Sequence, residues 1–341
     1  MKTSYQLPPI LYGSGGEPRR AGFEFELGNL QISSAAHALQ AALGGTLEIR
    51  SPFEAVLADS SLGKLKIERD AQLLKSTRYR RWLTQFGVDF APGGLAHEIE
   101  TNIDKASRIL IPCEVVTAPI PLEALSGLDT LGETLKSLGA EGTQESLIYA
   151  FGMHINPSLP TTDAEGLSRY IQAFLLLHNW IIEHAEIDLT RRFLTKFIDP
   201  YPREYMEHML APDYTPDLPG LIDDYLAFNP TRNRALDMLP AFCSIDEERV
   251  RNALDDDENG LVNARPAFHY RLPDCKVDLP GWSAKQAWNQ WVYIERLAED
   301  KELLDELKAE WRQLSGDFSL SPGSDWTARL TSLLSCKFFE R

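Results

Sequence analysis

The stretch Gly22-Phe23-Glu24-Phe25-Glu26-Leu27 alternates without a break. A β-strand sends successive side chains to opposite faces, so the stretch predicts a strand with Phe23, Phe25 and Leu27 on one face and two carboxylates on the other. Two residues along a strand advance about 6.6 to 6.8 Å, a spacing at which Glu24 and Glu26 can hold one or two hydrated Mg2+ ions against a phosphate. A strand face that is merely solvated gives the same string. The decision falls to the rest of the chain.

Three later segments carry single polar groups on apolar ground. In Arg108-Ile109-Leu110-Ile111-Pro112-Cys113-Glu114-Val115-Val116-Thr117, alternation puts Glu114 on the face of Leu110 and Val116. An ionised carboxylate is costly there unless it is paired or bound to a cation. Phe151-Gly152-Met153-His154-Ile155-Asn156-Pro157 places His154 and Asn156 on one face, and Phe268-His269-Tyr270-Arg271-Leu272 does the same for His269 and Arg271. Four such strands predict one sheet whose concave face is the active site.

Between these strands the chain punctuates itself. Ser33 or Ser34 is positioned to cap a helix running through Leu43 and ended by Gly44-Gly45. Thr46 to Arg50, Ala55 to Leu57 and Gly63 to Asp70 read as strands. Pro121 to Leu138 predicts a helix with proline in its first turn, and Asp163 to Glu186 a long one capped by Thr162 or Asp163. Residues 190–260, rich in Pro, Tyr and acids, read as short helices and connections forming an insertion or lid. Ser283 to Leu314 predicts helix broken near Ala298-Glu299-Asp300, and Asp255-Asp256-Asp257-Glu258 a solvated turn. Neither a Gly-rich phosphate loop nor G-x-G-x-x-G follows a strand, which disfavours a parallel sheet. Strands with one polar face predict an α+β fold, an antiparallel sheet with helices on its other side.

The chain has 341 residues, of which 43% are hydrophobic and 25% charged, enough for a large packed core. Its net charge of -16 argues against a nucleic-acid-binding surface. Cys113, Cys243, Cys275 and Cys336 form no Cys-X-X-Cys pair, and residues 1–20 lack a signal-peptide core. A reducing cytoplasm is the expected location. Tyr170 to Ile182 is apolar but interrupted by Gln172, His178 and Asn179, so it predicts a buried helix and no membrane span. His37, His178 and His184 read as structural, and Trp288 with Trp291 as core.

In order along the chain, Glu24-Phe25-Glu26, Gly152-Met153-His154-Ile155-Asn156-Pro157-Ser158-Leu159 and Phe268-His269-Tyr270-Arg271-Leu272-Pro273-Asp274 resemble the active-site strands of glutamine synthetases and glutamate-cysteine ligases. More closely, the chain resembles the amidoligases, a bacterial branch of those carboxylate-amine ligases. The resemblance implies a curved antiparallel sheet with helices on its convex face, a catalytic domain over residues 1–281 and a helical extension over 282–341. It implies ATP and Mg2+ or Mn2+ as cofactors, and a small-molecule or peptide carboxylate and an amine as substrates. ATP would phosphorylate the carboxylate and the amine would then displace phosphate. Glu24, Glu26, Glu114 and His154 would be metal ligands, and Arg271 would bind the transferred phosphoryl group. Asn156 stands where glutamine synthetases carry a second histidine, and His269 where they carry a metal-binding glutamate. Imidazole suits Mn2+ or Zn2+ better than Mg2+, so His269 shifts the expected metal preference. Arg232 and Arg234 lie where related ligases place an arginine for substrate carboxylate or phosphate, and Asp70 joins them as a nucleotide or substrate candidate.

The chemistry agrees with that resemblance. Phosphoryl transfer needs charge neutralisation and in-line positioning, which metal-holding carboxylates and an arginine fork supply. The chain has no Gly-X-Ser-X-Gly elbow, Walker lysine loop or His-Glu-X-X-His helix. Two rivals stand: a non-catalytic nucleotide- or peptide-binding member of the same fold, and a metal-dependent hydrolase, for which no water-activating base is assignable.

Overall fold

The computed structural model describes residues 4–69, 112–142, 151–185, 187, 198–316 and 324–338. Strand β1, Arg20–Leu27, buries Phe23, Phe25 and Leu27 completely, as the alternation requires. It lies inside a nine-stranded antiparallel sheet. The other strands are β2 (Thr46–Ser51), β3 (Glu54–Ser60), β4 (Gly63–Arg69), β5 (Cys113–Thr117), β6 (Ile120–Pro121), β7 (Met153–Pro157), β8 (Leu236–Asp237) and β9 (His269–Tyr270). Their order is β2-β3-β4-β5-β1-β7-β9-β8, with β6 pairing β1 beside that path. The sheet is not closed into a barrel, and eleven α-helices accompany it among the described residues.

Helices cover the face that receives the phenylalanines. Ile32–Leu43 packs on β2, β3 and β4, while Ala164–His184 packs against Ala284–Glu299. Aromatic contacts tie the latter pair to the sheet: Phe23 meets Trp288 at 6.2 Å, Phe268 meets Tyr170 at 5.3 Å, and Tyr270 meets Trp291 at 5.4 Å between ring centroids. Burying one such aromatic side chain contributes about 1.5 to 3 kcal/mol. The apolar half of each alternating strand is consumed here, and the polar half is left on the opposite face.

Several boundaries follow local chemistry. The first helix ends where Gly44 and Gly45 take φ of 72° and 93°, a left-handed backbone that glycine adopts without steric cost. Its cap is Gln31, whose side chain caps no backbone N–H and instead accepts from the Ser34 hydroxyl at 3.3 Å, and Ser33 and Ser34 sit inside the helix. Asp163 caps Ala164–His184 by accepting the Gly166 N–H. Helices Ala284–Glu299 and Lys301–Gly316 part at Asp300, as expected.

Other expectations are corrected. Pro121 does not open a helix: it closes β6 opposite Arg20, a 3-10 turn follows at Leu122–Ala124, and the helix proper is Gly127–Ser137. A two-residue strand tolerates the missing N–H of proline. The acidic run at 255–258 is no solvated turn, because Asp255 caps the short helix Asp256–Asn259 and Glu258 is buried against Thr231 and Arg232. Strand β8 lies within residues 190–260 and pairs with β9 in the sheet. The start of the Arg108 segment and Asp70 lie outside the described residues. Cys113, Cys243 and Cys275 are buried free thiols. No helix among the described residues is long and apolar enough to cross a membrane.

Candidate functional site

Register decides which side chains meet. Glu24 stands opposite His154 on β7, and Glu26 opposite Glu114 on β5. Adjacent strands run about 4.8 Å apart, so these pairs are neighbours. Nδ1 of His154 lies 3.1 Å from Oε2 of Glu24, and its Nε2 lies 3.7 Å from Oε1 of Glu26. The other oxygen of Glu24 accepts from Nδ2 of Asn156 at 2.9 Å and from Nη1 of Arg265 at 3.3 Å. Oε2 of Glu26 accepts the Gly152 N–H at 2.6 Å.

Strand β9 adds the third partner. The His269 ring meets that of His154 edge-on, with centroids 5.2 Å apart and planes at 86°. Ligand atoms of Glu24, His154 and His269 all lie within 4.8 Å of one another. Behind His269 stands Asp237, paired with it across β8 and β9. Its Oδ2 lies 3.1 Å from Nδ1 of His269 and accepts from Nε of Arg232 at 3.0 Å, while Nη2 of Arg232 lies 3.0 Å from the same ring nitrogen. Nδ1 of His269 thus faces an acceptor, the Asp237 carboxylate, and a donor, the Arg232 guanidinium, at the same time. Nε2 of His269 is buried and without a hydrogen-bond partner.

Electrostatics agree with the geometry. Burial works against the charge of Glu24, but the hydrogen bond and charge of His154, helped by Arg265, hold its carboxyl well below the usual range. Burial pushes the His269 imidazole down to about 3 despite Asp237, which leaves a neutral ring at neutral pH. Burial would raise Asp237, yet the His269 hydrogen bond and the Arg232 charge keep it lowered.

A second feature crosses the same face. Glu54, Glu68, Glu114 and Glu26 stand in register across β3, β4, β5 and β1. Glu54 holds Arg50 at 3.1 Å and Glu68 holds Lys66 at 2.6 Å. Glu114 therefore sits in a carboxylate row with Val116 on its face, while Leu110, the other expected neighbour, lies outside the described residues.

The remaining candidates divide. Arg271 donates from Nη1 to the carbonyl of Arg232, and its backbone N–H donates to Ala235 at 2.8 Å. Arg234 turns elsewhere: its guanidinium donates to Asn229, Pro200 and Phe228 at 2.7, 2.6 and 3.2 Å and lies over the Tyr201 ring. Sequence reasoning missed Asp237 and Arg265. Neither belongs to an alternating run, and each is placed by a contact to a residue far along the chain.

The chain matches the model of the family described as "Putative amidoligase enzyme" over residues 17–293. It belongs to this amidoligase family. No curated protein and no solved structure matches it. The matched span of the amidoligase contains β1 to β9 and every side chain described above, whereas helices Lys301–Gly316 and Ser324–Phe338 lie beyond it.

Proposed function

We propose that this amidoligase is an ATP-dependent carboxylate-amine ligase of the glutamine synthetase and glutamate-cysteine ligase superfamily, forming an amide or peptide bond through an acyl phosphate. One observation carries the reading: Glu24, His154 and His269 converge on the polar face of the sheet beside the guanidinium groups of Arg265 and Arg232. Ligand donors next to fixed cations suit a polyanionic substrate such as a nucleoside triphosphate.

The carboxylate oxygen of the acceptor attacks the γ-phosphorus, the bond to the β-bridging oxygen breaks, and ADP leaves. The amine nitrogen then attacks the acyl carbon; phosphate departs with one former carboxylate oxygen and the nitrogen loses a proton. In this reading Arg271 stabilises the transferred phosphoryl group, and Arg265, which touches Glu24, neutralises a substrate anion. Glu26 and Glu114, oxygen donors in register, fit Mg2+ or Mn2+. Such an ion neutralises phosphoryl charge. The trio fits Mg2+ poorly, because two of its three donors are imidazole nitrogens.

Amine-dependent release of ADP and phosphate from purified protein is the test, with 18O-labelled carboxylate substrate to follow oxygen into phosphate. Appearance of AMP and pyrophosphate, or phosphate free of 18O, overturns the acyl-phosphate route. Nucleotide binding without turnover for any amine supports a binding protein on the same scaffold.

A further inference from the structure

Two polar atoms beside Glu24 are buried and have no partner in the protein. Asn156 is only 7% exposed, and its Nδ2 is committed to Oε1 of Glu24 at 2.9 Å. A carboxylate only accepts, so the amide nitrogen is the end that faces Glu24, and the amide oxygen, Oδ1, meets no donor. Nη1 of Arg265 reaches the same oxygen of Glu24 at 3.3 Å, while its Nε–H is buried and meets no acceptor. Carboxamide and guanidinium thus stand side by side over one carboxylate oxygen, one short of a donor and the other short of an acceptor. Buried polar groups are otherwise paired almost without exception, so two orphans in one place mark where a ligand completes the bonding.

The floor beside them is bare. Gly22 stands opposite Asn156 in the register of β1 and β7, on the face that carries Glu24 and Glu26. A Cβ at Gly22 would lie 3.7 Å from Cβ of Asn156 and 3.9 Å from its Nδ2, ordinary contact distances at which a methyl group fits without displacing anything.

We propose that Asn156 and Arg265 form the subsite for the amine substrate and select an amine that carries its own carboxylate, a free α-amino acid. Oδ1 of Asn156 accepts an N–H of the amine, and Arg265 donates to the carboxylate beside it. Of the two substrates, the amine is the one that necessarily brings an N–H. A carboxamide takes up no proton at neutral pH, so it orients the nitrogen and leaves the lone pair free. An amine without a carboxylate leaves the Arg265 donor unmatched, which is the basis of the selection. The proposal deepens the ligase reading: it rests on that reading for the nitrogen's part in the reaction and stands apart from it for binding.

The test is calorimetry on the full-length protein with Mg2+ and a non-hydrolysable ATP analogue. The probes are the twenty proteinogenic L-amino acids, with histamine, tyramine and cadaverine set against histidine, tyrosine and lysine, and the decarboxylated partner of any other amino acid that binds. At least one amino acid should bind, and its decarboxylated partner about 10- to 100-fold more weakly. Arg265→Gln should weaken the amino acid and leave the decarboxylated amine unchanged, which closes the gap. Asn156→Leu should weaken both alike, and Gly22→Ala, which places a methyl beside Asn156, should do the same. Thermal melts separate loss of the subsite from loss of fold; if Asn156→Leu does not fold, Gly22→Ala and Arg265→Gln decide.

No amino acid bound, a decarboxylated amine bound as tightly as its parent, or amino-acid binding indifferent to Arg265→Gln overturns the proposal. Amino-acid binding in the expected pattern without ADP release from ATP sinks the ligase reading and leaves the subsite standing. ADP release driven equally by amino acids and by their decarboxylated partners does the reverse.

Discussion

Glu258 holds the backbone of Arg232: its Oε2 accepts the Arg232 N–H at 3.0 Å while its Oε1 accepts the Thr231 hydroxyl at 3.0 Å. The consequence reaches the site, because Arg232 in turn braces Asp237. Glu258→Ala leaves both donors without their acceptor and should cost about 1 to 3 kcal/mol in urea denaturation. Glu258→Gln keeps one acceptor oxygen and should cost less. Equal stability of the wild type and the alanine variant would remove this brace from the account.

Arg19 and Glu295 form a fully buried double hydrogen bond, 2.7 Å on each arm, that ties the approach to β1 to the helix Ala284–Glu299. Arg19 also donates to the Ser158 and Ile10 carbonyls, and Glu295 accepts from the Trp291 indole. Arg19→Met leaves a buried carboxylate unmatched and should cost about 3 to 5 kcal/mol, whereas adding Glu295→Leu should restore a good part of it. Truncation after residue 281 removes Glu295, Trp288 and Trp291 together, so soluble expression of that fragment with a cooperative melt would count against this packing.

How far the sequence was readable depends on period. Glu24, Glu26, His154 and Asn156 were visible because a strand repeats every two residues and burial of one face exposes the identity of the other. His269 came through the same rule although β9 spans only two residues. Asp237 and Arg265 were invisible, since a contact between Asp237 and His269 leaves no trace in the spacing of either. Glu258 was misread for a related reason: four acids in a row describe a surface on average, and one of them turned inward to satisfy two donors. Pro121 was misread because proline opens helices and closes short edge strands by the same missing N–H.

Asp163 gives the pH dependence a definite sign. The Thr161 hydroxyl and the Gly166 N–H both donate to its carboxylate and lower its pKa from the ordinary aspartate value. A carboxyl depressed in the folded state contributes stability above its unfolded pKa, about 3.9, and that contribution fades as pH falls through the folded value. Asp163→Ala should therefore lower stability by about 0.5 to 2 kcal/mol at pH 7, with a gap to wild type that narrows below about pH 4. Denaturant titrations at several pH values measure the gap, and a gap that widens in acid would contradict the cap.

In the proposed ligase reaction Arg271 is the residue that bears on the chemistry most directly. Its backbone is pinned to Ala235 and its guanidinium to the Arg232 carbonyl, so its position is set by the same segment that carries Asp237. A planar fork can grip two oxygens of a phosphoryl group at once, whereas an ammonium offers a single point charge. The extra grip matters most as charge redistributes over the transferred group, so its loss belongs in kcat and not in nucleotide affinity. Arg271→Lys should reduce kcat by about 100- to 1000-fold with little change in the Kd for ATP measured by calorimetry. The opposite pattern, weakened ATP binding with kcat preserved, would make Arg271 a nucleotide-anchoring residue and move the phosphoryl role to Arg265, whose guanidinium already touches Glu24.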